Sequence, residues 1–171
     1  MEVVIAPDHR LRTKTRLVKK ITPGLANTTK EMIKITLAFT DPEGVGLAAT
    51  QIGLDGRFFV GKMADKFRVF INPEIISMSK RTKKYFEGCL SIPAYYGQIN
   101  RSISIKVTYQ DLTGKKITET LKGINGWIFQ HEVDHLNGIL FPDRVLEQKG
   151  RFFKNTGKDK RGEDVFEEIT I

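Results

Sequence analysis

His131-Glu132-Val133-Asp134-His135 constrains this chain more than any other stretch. An α-helix turns once every 3.6 residues, so side chains four apart stand one above the other. Both imidazoles therefore reach one metal ion, and the glutamate between them sits beside whatever is bound there. Ile124, Trp127 and Ile128 precede His131 at helical spacing, so the histidines continue an apolar stripe that faces the interior. A buried imidazole needs partners for both nitrogens, and a metal satisfies one of them. The plain alternative is a helix carrying two satisfied core histidines.

The chain has 171 residues, enough for one domain with a real hydrophobic core, and 1–171 reads as a single domain. Apolar content of 40% and charged content of 28% describe a soluble globular protein. It contains no run of about 18 apolar residues, so no membrane span is expected. The start, Met1-Glu2-Val3-Val4-Ile5-Ala6-Pro7, lacks a basic segment followed by an apolar one, so it is not read as a signal peptide. The expected location is cytoplasmic, in a bacterial-type setting or an organelle after processing. Formal net charge is +8, which favours polyanions such as RNA. The basic clusters at 10–20, 80–84 and 149–161 carry no aromatic-basic RNA signature, so sequence-specific nucleic-acid binding is not expected. They read as a solvated surface compatible with transient ribosome contact.

Residues 28–39 carry an apolar helical pattern with Asn27 or Thr28 as N-cap, and Asp41-Pro42-Glu43-Gly44 stops it. Small residues dominate 44–53 and suggest close backbone approach rather than core packing. Segments 57–63 and 67–71 read as strands ending at Asn72-Pro73, and 80–84 reads as a basic turn. The alternation Ile103, Ile105, Val107, Tyr109 and the return strand 116–121 make a hairpin around Asp111-Leu112-Thr113-Gly114. Gly123 leads into the histidine helix, with a start after Asn125-Gly126 as the alternative because these are poor helix formers, and the helix is expected to end near Asn137-Gly138. The tail, 150–171, reads as a β-hairpin.

The single cysteine, Cys89, has no internal disulfide partner. It reads as a small buried hydrophobe, a nucleophile or a third metal ligand. Cys, His and His form a reasonable three-ligand set that leaves a position open for water.

Gly44-x-Gly46-Leu47-Ala48-Ala49-x-Gln51, Glu87-Gly88-Cys89-Leu90-Ser91 and His131-Glu132-x-x-His135 resemble, in order, the three motifs of the peptide deformylase family. Flanking matches run from Pro7-Asp8-x-Arg10-Leu11-Arg12 to Leu136-x-Gly138-x-Leu140-Phe141. The resemblance implies an α+β fold in which antiparallel sheets wrap a central metal-binding helix. It implies Cys89, His131 and His135 as ligands of one divalent ion, commonly Fe(II), with Zn, Ni or Co able to occupy the site. Glu132 would be general base and acid, while Gln51 and the backbone N–H of Leu90 would hold the carbonyl oxygen. The implied reaction removes the N-formyl group from formyl-methionyl nascent peptides and releases formate. Gly44 and Gly46 would leave room for an extended peptide paired with Val45 and Gly88, and Tyr85, Ile124, Trp127 and Ile128 would line the methionine pocket. Arg101 would pair with Asp134.

Two departures stand out: Asn125-Gly126 before the final helix, and a tail unlike the long basic helix that some members use at the ribosome. Two rivals stay open. A zinc peptidase with the same His-Glu-x-x-His would draw its third ligand from downstream, where Glu147, Glu163, Glu167 and Glu168 are available but no further His is. A basic RNA- or ribosome-binding module with a structural metal would show a closed four-ligand site.

Overall fold

Alternating apolar residues build the first of two antiparallel sheets. In the computed structural model, which describes residues 1–171, this sheet contains β1 (Gly46–Ala48), β2 (Phe58–Met63), β3 (Lys66–Met78), β6 (Ser104–Gln110) and β7 (Lys116–Lys122). They lie in the order β1-β2-β3-β6-β7, each antiparallel to its neighbour. The second sheet holds β4 (Thr82–Cys89), β5 (Ile92–Ser102), β8 (Phe152–Lys158) and β9 (Asp164–Ile169), in that order. Three helices complete the chain: α1 (Pro23–Ala38), α2 (Gly123–Leu136) and α3 (Phe141–Glu147). Helix α2 packs mainly on β1 and β2 and also touches β5 of the other sheet, so it sits between the sheets. The class is α+β, as the motif resemblance implies.

Helix α2 is fixed by an aromatic key. Phe129 projects from it with no exposed surface and meets Phe59 and Phe70 edge-on, with ring centroids 5.2 and 5.3 Å away. Phe59 and Phe70 stack on each other across β2 and β3 at 4.6 Å, and Tyr109 closes on Phe70 at 4.7 Å. Ile128, Val133 and Leu136 bury alongside.

Several boundaries differ from the sequence expectation. Helix α1 begins at Pro23, because the Thr22 side chain caps the Leu25 N–H at 3.2 Å and proline in the first turn forfeits no hydrogen bond. Strand β3 runs through Asn72-Pro73 instead of ending there. Asn72 takes a positive φ of 52° at an irregularity in register, and its side chain pairs with both backbone groups of Val18 at 2.8 and 2.9 Å. Helix α2 starts at Gly123, the first of the two expected starts, so Asn125 and Gly126 lie within it. A β-carbon at Gly126 would meet the Leu121 carbonyl oxygen at 3.1 Å, and Asn125 accepts from the Ala64 N–H at 3.1 Å. Glycine's lower helix propensity is accepted there for close approach to β7. The basic segment 80–84 is not only a turn, since β4 begins at Thr82 and pairs with β5 up to Cys89.

Phe129→Ala is expected to destabilise the protein by about 4 kcal/mol, through lost burial and an unfilled cavity. Urea unfolding monitored by circular dichroism checks this.

Candidate active site

Strand β4 delivers Cys89 to the same point that α2 delivers His131 and His135. The Leu90-Ser91 turn then reverses the chain so that Cys89 pairs with Ile92. The ligand atoms of the three residues all lie within 4.8 Å of one another, and Cys89 Sγ is 3.3 Å from His135 Nε2. Ligands on a tetrahedral ion with ordinary metal–sulfur and metal–nitrogen bonds sit about 3.3–3.6 Å apart, so the donor set fits a first-row divalent ion. Its chemistry suits such an ion too, with one thiolate beside two imidazoles. His131 Nδ1 lies 2.9 Å from Glu87 Oε2, which leaves Nε2 for the centre. Burial holds His135 well below the usual histidine range, in the neutral form that ligates. The group comprises these three residues, so one corner of a tetrahedron carries no protein ligand.

Glu132 stands beside this group without belonging to it. It is 3% exposed, its Oε2 has no hydrogen-bond partner, and burial pushes its carboxyl up to about 7. A β-carbon at Gly46 would come within 2.3 Å of Glu132 Oε1. Gly46 therefore clears space for this carboxylate as well as flanking the cavity.

The Gln51 amide is locked in orientation. Its Oε1 accepts from the Ala48 N–H at 2.9 Å, while its Nε2 donates to Ser91 Oγ at 3.1 Å and lies 3.4 Å from Cys89 Sγ. A cavity of about 170 Å³ opens over these groups. Val45, Gly46, Gln51, Gly88, Leu90, Trp127 and Ile128 all line it, together with Cys89, His131 and Glu132.

Two of the residues expected in the methionine pocket, Ile124 and Tyr85, border this cavity's wall without lining the cavity itself. Ile124, in the first turn of α2, is 63% exposed and borders an adjoining depression with Ala64 and Asn125, which shares Glu43, Val45, Trp127 and Ile128 with the catalytic cavity. Tyr85 does not line the cavity: its ring stacks on Trp127 at 5.0 Å, which supports that wall from behind. Sequence reasoning missed Pro42, Glu43, Phe86 and Tyr96, which complete the lining. It also missed Ser91 as the partner of Gln51, and Glu87 as a hub that receives Arg101, Trp127 and His131. Both lie inside the motif whose Gly88, Cys89 and Leu90 already carry expected roles. Arg101 does meet Asp134, at 2.7 Å.

Residues 1–151 match the family model described as polypeptide deformylase. A peptide deformylase of Nitrobacter hamburgensis is 38% identical over 157 residues, covering 86% of this chain and 88% of that one. The chain belongs to the peptide deformylase family. A second relative, from Thermotoga petrophila, is 41% identical over 142 residues, with 83% and 85% of the two chains covered. The crystal structure of Thermotoga maritima peptide deformylase superposes with a TM-score of 0.79 at 40% identity, covering 84% of this chain and 95% of that one.

Neither rival survives the geometry. The ligand group takes its third member from Cys89 rather than from the downstream glutamates, of which Glu147 and Glu168 pair with Arg144 and Arg151 instead. Nor is it a closed four-residue site.

Cys89→Ala should cut bound metal, measured by elemental analysis, to well under half of the wild-type content. Glu87→Ala, which frees His131 Nδ1, should weaken metal binding about 10- to 100-fold. Gly46→Ala should keep the metal yet abolish most activity by displacing Glu132.

Proposed function

We infer that Cys89, His131 and His135 hold one divalent ion and that Glu132 moves the proton in this chain's reaction. The reaction is hydrolysis of the N-formyl group from the formyl-methionine of newly made polypeptides, releasing formate, and it follows from membership of the family. The observation that carries the residue assignment is the buried, unpartnered Glu132 Oε2 beside a three-residue ligand group. When bound, the ion acts as a Lewis acid and brings the pKa of water towards neutrality. Fe(II) is our reading of the physiological ion, with Zn, Ni or Co fitting the same donors.

Glu132 accepts the proton of the attacking water and delivers it to the departing amine nitrogen, which otherwise leaves poorly. The Gln51 amide and the Leu90 N–H face the formyl oxygen as negative charge builds on it. One such donor is typically worth about 3 kcal/mol to the transition state. The locked Gln51 orientation supports this role, since its donor end is already turned towards Cys89 and Ser91. An extended peptide runs between Val45 and Gly88, and its methionine lies against Trp127 and Ile128.

No helix is long and apolar enough to cross a membrane. We read the site of action as cytoplasmic, with transient ribosome contact favoured by the positive net charge.

The test is anaerobic purification, which protects a thiolate-ligated iron from sulfur oxidation, followed by an assay of formate release from a formyl-Met peptide. Glu132→Gln should retain metal and lose roughly 10²- to 10⁴-fold in rate. Equal slow release by wild type and variant would refute the assignment.

A further inference from the structure

Strand β4 and helix α2 meet in three steps. Two residues along a strand advance about 6.6 Å, and four along a helix advance about 6 Å. Alternate residues of β4 therefore stay level with every fourth residue of α2. Tyr85 stacks on Trp127, with ring centroids 5.0 Å apart and planes 4° from parallel. Glu87 Oε2 lies 2.9 Å from His131 Nδ1, and Cys89 Sγ lies 3.3 Å from His135 Nε2. The second and third steps belong to the metal site. The first does not, and its tryptophan is the only one in the chain.

Trp127 joins the first step to the second. Its Nε1–H donates to Glu87 Oε1 at 2.9 Å, while His131 meets the other oxygen. Arg101 grips both oxygens as a fork, at 2.6 and 2.9 Å, which fixes the plane of the carboxylate. Each oxygen then has one further partner, Trp127 on one side and His131 on the other. Glu87 has no exposed surface, so bulk solvent does not replace a lost donor. With the indole N–H removed, Oε1 keeps a single donor. The carboxylate then gains by turning that oxygen further towards Arg101, which draws Oε2 off His131. The same indole, half-buried, lines the catalytic cavity.

We propose that Trp127 is a positioning residue for the metal site: its indole N–H, acting through Glu87, fixes the ring of His131, so one wall of the catalytic cavity also sets how the ion is held. The proposal rests on the reading of Cys89, His131 and His135 as the ligands. An indole N–H that had only found an acceptor on burial would make Trp127 a wall and nothing more. The two roles separate in measurement. Direct partners of a metal-bound histidine typically govern about 10- to 100-fold in affinity. Trp127 stands one hydrogen bond further out, so its share is about three- to tenfold.

The test uses Trp127→Phe, which keeps an aromatic wall and a ring for Tyr85 to stack on but has no N–H. Ile128→Val, a change in the same wall that leaves Glu87 untouched, is the control. Co(II) affinity is measured by competition with a chelator, and the visible absorption of the Co(II) protein reports the ligand geometry. Rates on a formyl-Met peptide are taken at saturating metal. Trp127→Phe should bind Co(II) about three- to tenfold more weakly than wild type, shift its absorption, and lower kcat more than it raises KM. Ile128→Val should match wild type in Co(II) affinity and absorption. Unchanged Co(II) affinity in Trp127→Phe overturns the positioning role, whatever KM does. An equal loss in Ile128→Val overturns it too, since wall packing would then account for the effect. If Trp127→Phe does not fold, the wild type decides: its single indole N–H resonance should move when Zn(II) is added to the metal-free protein, and an unmoved resonance overturns the proposal. Failure of the wild type to bind Co(II) overturns the ligand reading and the proposal with it.

Discussion

Four donors converge on the two oxygens of Glu87, a side chain with no exposed surface. Arg101 Nε and Trp127 Nε1 reach Oε1 at 2.6 and 2.9 Å, while an Arg101 terminal nitrogen and His131 Nδ1 lie 2.9 Å from Oε2. Burial opposes the charge, but Arg101 and His131 hold the carboxyl well below the usual glutamate range. Arg101 also reaches Asp134 at 2.7 Å, and Asp134 receives Arg144 at 2.7 and 3.1 Å. A buried charge stripped of its partner costs several kcal/mol, so these groups must assemble together. Their elements are β4, β5, α2 and α3, and β4 and α2 are the two that present the metal ligands. The network fixes the distance between a cysteine on one sheet and two histidines on a helix packed mainly against the other.

The local chemistry of the site was legible because it depends on short spacings. Helical periodicity put His131 and His135 on one face, and the motif order brought Gln51, Cys89 and Glu132 into a single reading. What spacing does not encode is which side chain stands behind which. Tyr85 and Glu87 lie two residues apart on β4 and both meet Trp127, one by stacking and one as acceptor. Neither contact appears until β4 is known to be a strand, and its run of exposed lysines hid that. Ile124 fits the apolar stripe by periodicity, yet a helix's first turn can overhang the sheet it packs on. Asn72-Pro73 misled, and Asn125-Gly126 left the start of α2 open, for the same reason. Each is a poor local former whose cost is offset by tertiary contacts, with Val18 in one case and Leu121 and Ala64 in the other.

The tail extends this point from elements to boundaries. Nothing in 150–171 resembles a catalytic motif, and the family match stops at 151. The hairpin is nevertheless built into the second sheet: β8 pairs with β5 at Tyr95, Tyr96 and Gly97. Phe152 packs beneath it with Ile99, Phe141 and Val145. Gly97 is needed for that seam, since a β-carbon there would lie 2.3 Å from Val145. Strand β5 thus carries Arg101 towards the metal ligands at one end and seats the hairpin at the other.

The unsatisfied buried side-chain atoms gather on one helix, next to the Cys89–His131–His135 group. Glu132 Oε2 and His135 Nδ1 are the buried side-chain atoms without a hydrogen-bond partner, and both lie on α2 beside Cys89. An unmet buried group typically costs about 1–3 kcal/mol, a substantial share of the net stability of a single domain. The aromatic contacts among Phe59, Phe70 and Phe129 lie against the same helix and offset that cost locally. A rigid apolar backing lets α2 present an under-satisfied polar face without collapsing onto it. That is the physical condition for a carboxylate to stay available to a proton rather than be consumed by a structural hydrogen bond.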